Sequence, residues 1–334
     1  MIEFAEHVRR HWFVVARSNA IKSEPSRVFL LGQPIVLVRR KTGVVIALED
    51  RCPHRGAPLS DGRIGPRGLS CKYHGWTFDQ SGHCTAMPGM IDATPVGDVR
   101  VPSYSVIEHD GFIWASLSTD RPLPDRVMAM QSKNLRFTWQ AKWATPAIEA
   151  QENFLDALHT HTIHPWIVRR ESARCTINAE LNLEGDGFRV DYEGQPTQSG
   201  LLFRLFESRR TRERAYFSSL STAQLEYRYS KGGAVWFTVC FTPETLISTH
   251  LFATLHVEGR WAPRWIIRAL VWPFLRAVAQ QDRLIVESVQ RARANFENRM
   301  PVITSLDIVR PYLEEAWSGS SSALPRKKHV SMQL

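Results

Sequence analysis

Two cysteine–histidine pairs constrain this chain more than any other feature: Cys52-Pro53-His54 and Cys71-Lys72-Tyr73-His74. Two thiolates and two imidazoles, spaced C-x-H and C-x-x-H, match a two-iron, two-sulfide centre in which histidines replace the cysteines on one iron. A chain folded around such a centre moves electrons one at a time. Structural zinc is the competing reading. Zinc pairs more often read C-x2–4-C and H-x3–5-H, so the mixed pairs fit it poorly. Accidental placement needs four residues in register.

The local sequence places both pairs on loops between short strands. Residues 34–39 and 44–49 are β-branched runs joined by Lys41-Thr42-Gly43, a hairpin signal. The following CPHRGAPL carries Gly56 and Pro58 and can turn tightly. A second hairpin is expected to turn at Asp79-Gln80-Ser81-Gly82. CPHRGAPL, CKYHGWTFDQSGHC and the succeeding Met87-Pro88-Gly89 closely resemble the Rieske domain of Rieske non-haem iron oxygenases. The resemblance covers about residues 10–118 and ends in the strand-like GFIWASL. Cys84, Cys175 and Cys240 fall outside the pattern and are read as non-ligands.

The length of 334 residues suits two domains. A hydrophobic content of 43% with 11 Trp provides for sizeable cores. The five cysteines suggest no disulfide framework, and an iron–sulfur centre fits a reducing, cytoplasmic compartment. The N-terminal MIEFAEHVRRHWFVV lacks the apolar stretch of a signal peptide. No apolar run has the length of a membrane span. The net charge of +9 is spread over local clusters, including Arg39-Arg40-Lys41, Arg209 to Arg214 and Arg326-Lys327-Lys328. No basic stripe with interleaved aromatics and no nucleic-acid module is visible. A solvated surface accounts for this charge, with docking of an acidic electron donor as the functional alternative.

The expected fold class is α+β. It comprises an all-β Rieske domain over 1–120 with cluster loops at 50–76, a linker over 121–145, and a catalytic domain over 146–317. The last is expected to hold an antiparallel sheet flanked by helices, in a helix-grip-like arrangement. Thr119 to Asp125 reads as linker, and the tail 318–334 as disordered. Expected elements are a helix around 147–162, strands at 187–192, 201–206, 223–229, 234–241 and 246–257, and a long helix over 274–298.

The first of these helices carries a second constellation: Asn153, Asp156, His159, His161 and His164. Two imidazoles plus a carboxylate form the facial triad of non-haem Fe(II) oxygenases, which leaves positions open for O2 and substrate. Asp156 and His159 share a helical face, so Asp156 can bond the far nitrogen of His159. His159 and His164 lie about 140° apart on a straight helix, so the helix must widen or end there, and Pro165 offers a reason. Taken alone the string is ambiguous. It could be a polar helix end, or His161 and His164 could be the pair.

ENFLDALHTHTIHPW resembles the mononuclear-iron motif of the same oxygenases. The resemblance implies His159 and His164 as iron ligands and Asp156 as the bridge for electrons arriving from the cluster. It also implies Asn153 as a polar residue close to the iron. His161 is then surplus. The third ligand must come from a distant segment, and Asp282 in AQQDRLIVESVQRA is the candidate, with Glu287 as fallback. Family members commonly carry an acidic pair there, whereas this chain has Gln281 before the Asp.

The resemblance implies a [2Fe–2S] cluster, a mononuclear Fe(II), and electrons from NAD(P)H through a separate reductase, with or without a ferredoxin. It further implies a head-to-tail homotrimer in which His74 of one copy faces Asp156 of the next. The expected reaction is hydroxylation or oxidative O- or N-demethylation of a hydrophobic or aromatic substrate, by mono- or dioxygenation. Expected pocket residues are Phe154, Leu158, Ile163, Phe203, Phe237 and Phe252, between the 147–165 helix and strands 187–257. Residues 260–278 combine Trp261, Trp265 and Trp272 with Arg264, Arg268 and Arg276. Peripheral membrane contact there would favour a sterol or lipid-like substrate. Packing at the core or a subunit contact is the plainer reading. A pure electron-transfer Rieske protein is the rival class, and the second histidine cluster argues against it.

Overall fold

The computed structural model describes residues 4–90, 98–118, 135–165, 174–194, 209–258, 265, 268–269, 272–296, 301–320 and 323–334. The chain divides into two compact units: Met1–Leu123 with Thr242–Leu246, and Pro124–Phe241 with Ile247–Leu334.

The first unit is built from short strands in three sheets. Strands β1 (Phe13–Arg17), β9 (Ser105–His109) and β10 (Phe112–Ser116) form one, with β10 central. A second joins β2 (Ser26–Leu30), β3 (Gln33–Arg39) and β4 (Val45–Glu49). The expected hairpin is present, with Val38 opposite Ile46 and Gly43 in the left-handed turn region at φ 89°. The third sheet orders β5 (Arg63–Gly65), β6 (Gly68–Ser70), β7 (Thr77–Phe78) and β8 (Cys84–Ala86). Its last turn is closed by Asp79, whose Oδ1 accepts the Ser81 and His83 amides at 2.9 and 3.0 Å. A short helix α1 (Glu6–Arg9) precedes β1.

The second unit centres on an eight-stranded sheet. Its strands are β11 (Leu135–Trp143), β12 (Thr176–Glu184), β13 (Gly187–Glu193), β14 (Arg210–Ser219), β15 (Thr222–Tyr229), β16 (Ala234–Thr245), β17 (Ser248–Glu258) and β18 (Lys327–Gln333). Their order is β11-β17-β16-β15-β14-β13-β12-β18. The helices are α2 (Ala147–Leu155), α3 (Thr160–Ile163), α4 (Trp272–Arg293) and α5 (Arg310–Ser318). No helix among the described residues is long and apolar enough to cross a membrane.

Buried polar contacts fix α2 to its surroundings. The Gln151 amide donates to Leu220 O at 2.6 Å and accepts from Trp317 Nε1 at 2.8 Å. Tyr192 Oη donates to Leu155 O at 3.3 Å. Arg310 pairs with both Glu149 and Glu152, at 2.9 and 2.7 Å. Such satisfied networks hold an element in one position, because an unpaired member would cost the full desolvation of a buried polar group.

Three expectations change. The helix around 147–162 is two helices, because the chain turns extended at Asp156 (φ −77°, ψ 125°). The linker expected over 121–145 contains β11, which pairs with β17 from Leu135↔Val257 to Trp143↔Thr249. Leu135, Phe137, Trp139, Ala141 and Trp143 alternate with polar residues, the period of a strand with one apolar face. The tail expected to be disordered contains β18, paired with β12 from Thr176↔Gln333 to Asn182↔Lys327. Its inward positions include Met332, and Leu334 follows, both buried. The serine-rich start of the tail conceals this alternation. The expected strand 201–206, Phe203, the Thr119–Asp125 linker residues and most of 260–271 lie outside the described residues.

The β18 register is testable. Met332→Ala removes a buried side chain and should cost about 2–5 kcal/mol. Gln333→Ala, on the exposed face, should stay within about 0.5 kcal/mol. Urea unfolding of both variants checks this, and equal effects would contradict the assigned faces.

Candidate functional site

In the first unit the two Cys–His loops are near copies. The Cys52 amide donates to Ala57 O and the Gly56 amide to Cys52 O, each at 2.8 Å. The Cys71 amide donates to Trp76 O at 2.8 Å and the Gly75 amide to Cys71 O at 3.0 Å. Each loop reverses through a left-handed glycine, Gly56 at φ 73° and Gly75 at φ 75°. Cys52 and Cys71 are buried in one apolar cluster with Leu59, Leu69 and Phe78. Burial, followed by the neighbouring Cys71 thiol, pushes the Cys52 thiol up to about 11. Two thiols forced together in an apolar setting want a cation to take up their negative charge.

The imidazoles of His54 and His74 lie 4.5 Å apart. Trp76 stacks on His54 at 4.6 Å, and Tyr73 packs on His74 at 3.8 Å. His54 Nδ1 is buried with no hydrogen-bond partner, as expected of a ligand nitrogen. The first loop is held from below by Asp50. This buried carboxylate accepts the Ser60 amide and hydroxyl at 2.6 and 2.7 Å and pairs with Arg27. The four residues therefore fit a mixed Cys/His two-iron cluster. Asp50 and Trp76 are contributors that spacing alone did not mark, since neither residue type signals a ligand.

In the second unit, His159, His164 and Asp282 each present one ligand atom, all within 4.8 Å of one another. Asp156 makes this possible. Its Oδ1 accepts the Leu158 amide at 2.8 Å and its Oδ2 the His159 amide at 3.2 Å, closing the turn that leads from the end of α2 to α3. The same Oδ2 stands 3.4 Å from His159 Nδ1. Asp156 and His159 are thus brought together, across a helix break, at ion-pair distance and without the expected hydrogen bond to Nδ1. His164 follows α3 directly, and Pro165 disfavours a further helical turn.

Asp282 projects from α4. Its Oδ1 lies 2.9 Å from His164 Nε2 and 3.3 Å from His159 Nε2. The histidine rings are 5.5 Å apart and nearly perpendicular, at 77°. Burial alone would lower the His159 pKa, but contacts with Asp156 and Asp282 outweigh it and push it up to about 9. Burial alone would raise Asp282, yet the two histidines bring it below the usual carboxylate range. A cluster that attracts positive charge this strongly, through two nitrogens and one carboxylate oxygen, fits a divalent metal of the iron type.

Other expected residues fall as follows. Asn153 lines a cavity of about 260 Å³ with Asp156, Leu158, His159 and Ile163. The far wall of that cavity comes from α4 and residues 306–309. Phe154 packs on Phe237 and Phe241 at 5.5 and 5.9 Å, and Phe237 meets Trp139 at 5.0 Å. Phe252 lies on the opposite face of β17 from Leu255, which packs with Phe237, and instead stacks on His250 at 4.2 Å. His161 is buried outside the triad. Glu287, the fallback ligand, instead accepts the Ala144 amide at 2.9 Å and pairs with Arg283 at 2.8 Å.

A cluster-binding β unit followed by a sheet-and-helix unit with a two-histidine, one-carboxylate triad defines a Rieske-type oxygenase component. Known proteins agree. Residues 11–105 match the Rieske [2Fe-2S] domain, and residues 143–310 match the vanillate O-demethylase oxygenase C-terminal domain. The second match covers half of the chain, and the protein belongs to this family of Rieske oxygenases. Aminopyrrolnitrin oxygenase PrnD of Pseudomonas fluorescens is 32% identical over 167 residues, 46% of this chain and 45% of that protein. The oxygenase component of dicamba O-demethylase from Stenotrophomonas maltophilia is 42% identical over 107 residues, 32% of this chain and 31% of that protein. The matched stretch spans less than half the length of these curated relatives. A structure of dicamba monooxygenase bound to 3,6-dichlorosalicylic acid superposes with a TM-score of 0.81 at 24% identity. It covers 95% of this chain and 98% of that one, and the likeness is one of fold.

The loop glycines give an asymmetric test. A side chain at Gly75 is strained by its positive φ, and its Cβ would sit 3.0 Å from Pro88 Cγ. At Gly56 the nearest atom is Arg51 Nε at 3.8 Å. Both alanine variants should lose about 1–2 kcal/mol to backbone strain, and Gly75→Ala should lose more. Thermal melts and visible cluster absorbance per chain check the order. Equal losses would contradict the close packing at Gly75.

Proposed function

We propose that this chain is the terminal oxygenase of a multicomponent system that hydroxylates or oxidatively demethylates a hydrophobic or aromatic substrate. The observation that carries this reading is the convergence of His159, His164 and Asp282 within 4.8 Å, in a chain that also holds the two Cys–His loops. Cys52, His54, Cys71 and His74 would hold the [2Fe–2S] cluster. His159, His164 and Asp282 would hold the mononuclear metal. When bound, such groups supply single electrons and an O2-reactive iron with open coordination positions.

The chain's own residues set the conditions. Asp156 Oδ2 stands 3.4 Å from His159 Nδ1 and would accept its proton when Nε2 holds the metal. The same carboxylate is the proposed link toward a cluster carried by a neighbouring copy, in a head-to-tail homotrimer. Asn153 supplies a polar side chain on the cavity that Asp156 and His159 border. Phe154, Phe237 and Trp139 form an aromatic cluster that would exclude water beside α2, while Leu158, Ile163, Val286 and Val289 give the cavity an apolar lining that would receive an apolar ring. Glu149 and Glu152 are already paired with Arg310, so they leave no isolated charge to select a cationic substrate.

Relatives named for dicamba O-demethylation and 5,5'-dehydrodivanillate O-demethylation support demethylation of an aryl methyl ether. Hydroxylation of a methyl group on oxygen or nitrogen gives an adduct that loses formaldehyde, so one reaction serves both outcomes. Electrons would come from NAD(P)H through a separate reductase, with or without a ferredoxin, and the proposed compartment is the cytoplasm.

The test couples the purified protein to a surrogate reductase and follows NADH oxidation across a panel of methoxylated and methylated arenes. Compound-dependent oxidation with formaldehyde or a hydroxylated product is expected, and Asp282→Ala should reduce it more than about 100-fold. Cluster reduction with no compound-dependent turnover, and no change in Asp282→Ala, would favour the electron-transfer reading.

A further inference from the structure

His164 is held at both ring nitrogens by consecutive residues of α4. Asp282 Oδ1 lies 2.9 Å from Nε2, and Gln281 Oε1 lies 2.8 Å from Nδ1. The ring is buried, so any unpartnered nitrogen would carry a full desolvation penalty. We infer that Gln281 is a positioning residue for the metal site, which fixes the His164 tautomer that presents Nε2 as a ligand. The inference rests on the metal-site reading above.

The chemistry follows from the imidazole. A neutral ring carries one proton, and a ligating nitrogen must not bear it. If Nε2 faces the metal, the proton resides on Nδ1 and needs an acceptor. Gln281 Oε1 is that acceptor, at ordinary hydrogen-bond distance. An amide offers a second arrangement that a carboxylate lacks. With the metal absent and the proton on Nε2, donated to Asp282, the amide can rotate and donate an N–H to Nδ1. Gln281 therefore satisfies the buried ring in both states without adding a second negative charge beside Asp282. The two metal-site histidines consequently have different partners: a carboxylate, Asp156, for His159, and an uncharged amide for His164.

The sequence shows why this contact falls to Gln281. Successive helix positions point about 100° apart, so a short Asp and a longer Gln side chain can reach opposite edges of one ring. A methionine at 281 matches the length but accepts no strong hydrogen bond, and a glutamate accepts but cannot donate when ionised.

The experiment measures Co(II) binding to the full chain with its cluster in place, by titration of the visible ligand-field bands. Wild type, Gln281→Met, Gln281→Glu and His159→Ala are compared, and cluster absorbance and thermal melts report folding. Loss of a partner to a ligand histidine typically weakens metal binding about 10–100-fold. Gln281→Met should show that loss with altered bands, and Gln281→Glu should restore affinity to within about threefold of wild type. Proton NMR of the Co(II) form gives a readout that needs no variant to fold better than another. Wild type should show two exchangeable imidazole Nδ1–H signals, one of which broadens or vanishes in Gln281→Met. Wild-type affinity, bands and both signals in Gln281→Met would overturn the inference while leaving the metal site intact. Failure of the wild type to bind Co(II), with no difference in His159→Ala, would overturn the metal-site reading and this inference with it.

Discussion

The second unit's site depends on one carboxylate closing a gap in the backbone. Two residues five apart on a straight helix cannot aim at one point. Asp156 ends α2, captures the amides of Leu158 and His159, and restarts the chain as α3, so that His159 and His164 flank that short turn. The same carboxylate reaches the ring of His159. A side chain that closes the turn between two helices and stands beside a ligand ring couples backbone shape to metal chemistry. The surrounding contacts of Gln151, Tyr192 and Arg310 then hold α2 where Asp282 on α4 can complete the triad.

The first unit solves a similar problem with glycine in place of a carboxylate. Each cluster loop turns through a left-handed glycine, and each buries its cysteine while keeping its histidine near the surface. Cys52 and Cys71 lie in an apolar pocket that raises the cost of an unshared thiolate. Asp50, Trp76 and Tyr73 fix the loop base and the imidazole rings. The two units thus reach rigid ligand geometry by different means, suited to loops between strands and to a site on helices.

Much of this was legible because the chemistry is carried by uncommon residue types at fixed intervals. Cys52, His54, Cys71 and His74 stand out in any reading, and the 187–192 and 223–229 runs alternate plainly enough to be strands. The break at Asp156 was less visible, since aspartate is tolerated in a helix and its turn-closing role depends on where the next turn lies. β11 was hidden by the proline-bearing stretch before it, although Phe137, Trp139 and Trp143 alternate. β18 was hidden by serines, although Val330, Met332 and Leu334 share one face. The contact of Gln281 with His164 spans 117 residues, and that of Asp50 joins two separate segments, which neither periodicity nor spacing can encode.

The central claim is that one chain carries two separate iron sites with different ligands. Iron and acid-labile sulfide, measured on the purified protein beside a His159→Ala variant, test it most directly. About three irons and two sulfides per chain are expected in the wild type, falling to about two irons with sulfide unchanged in the variant. Two irons in both proteins, or stoichiometric zinc in place of iron and sulfide, would contradict the account.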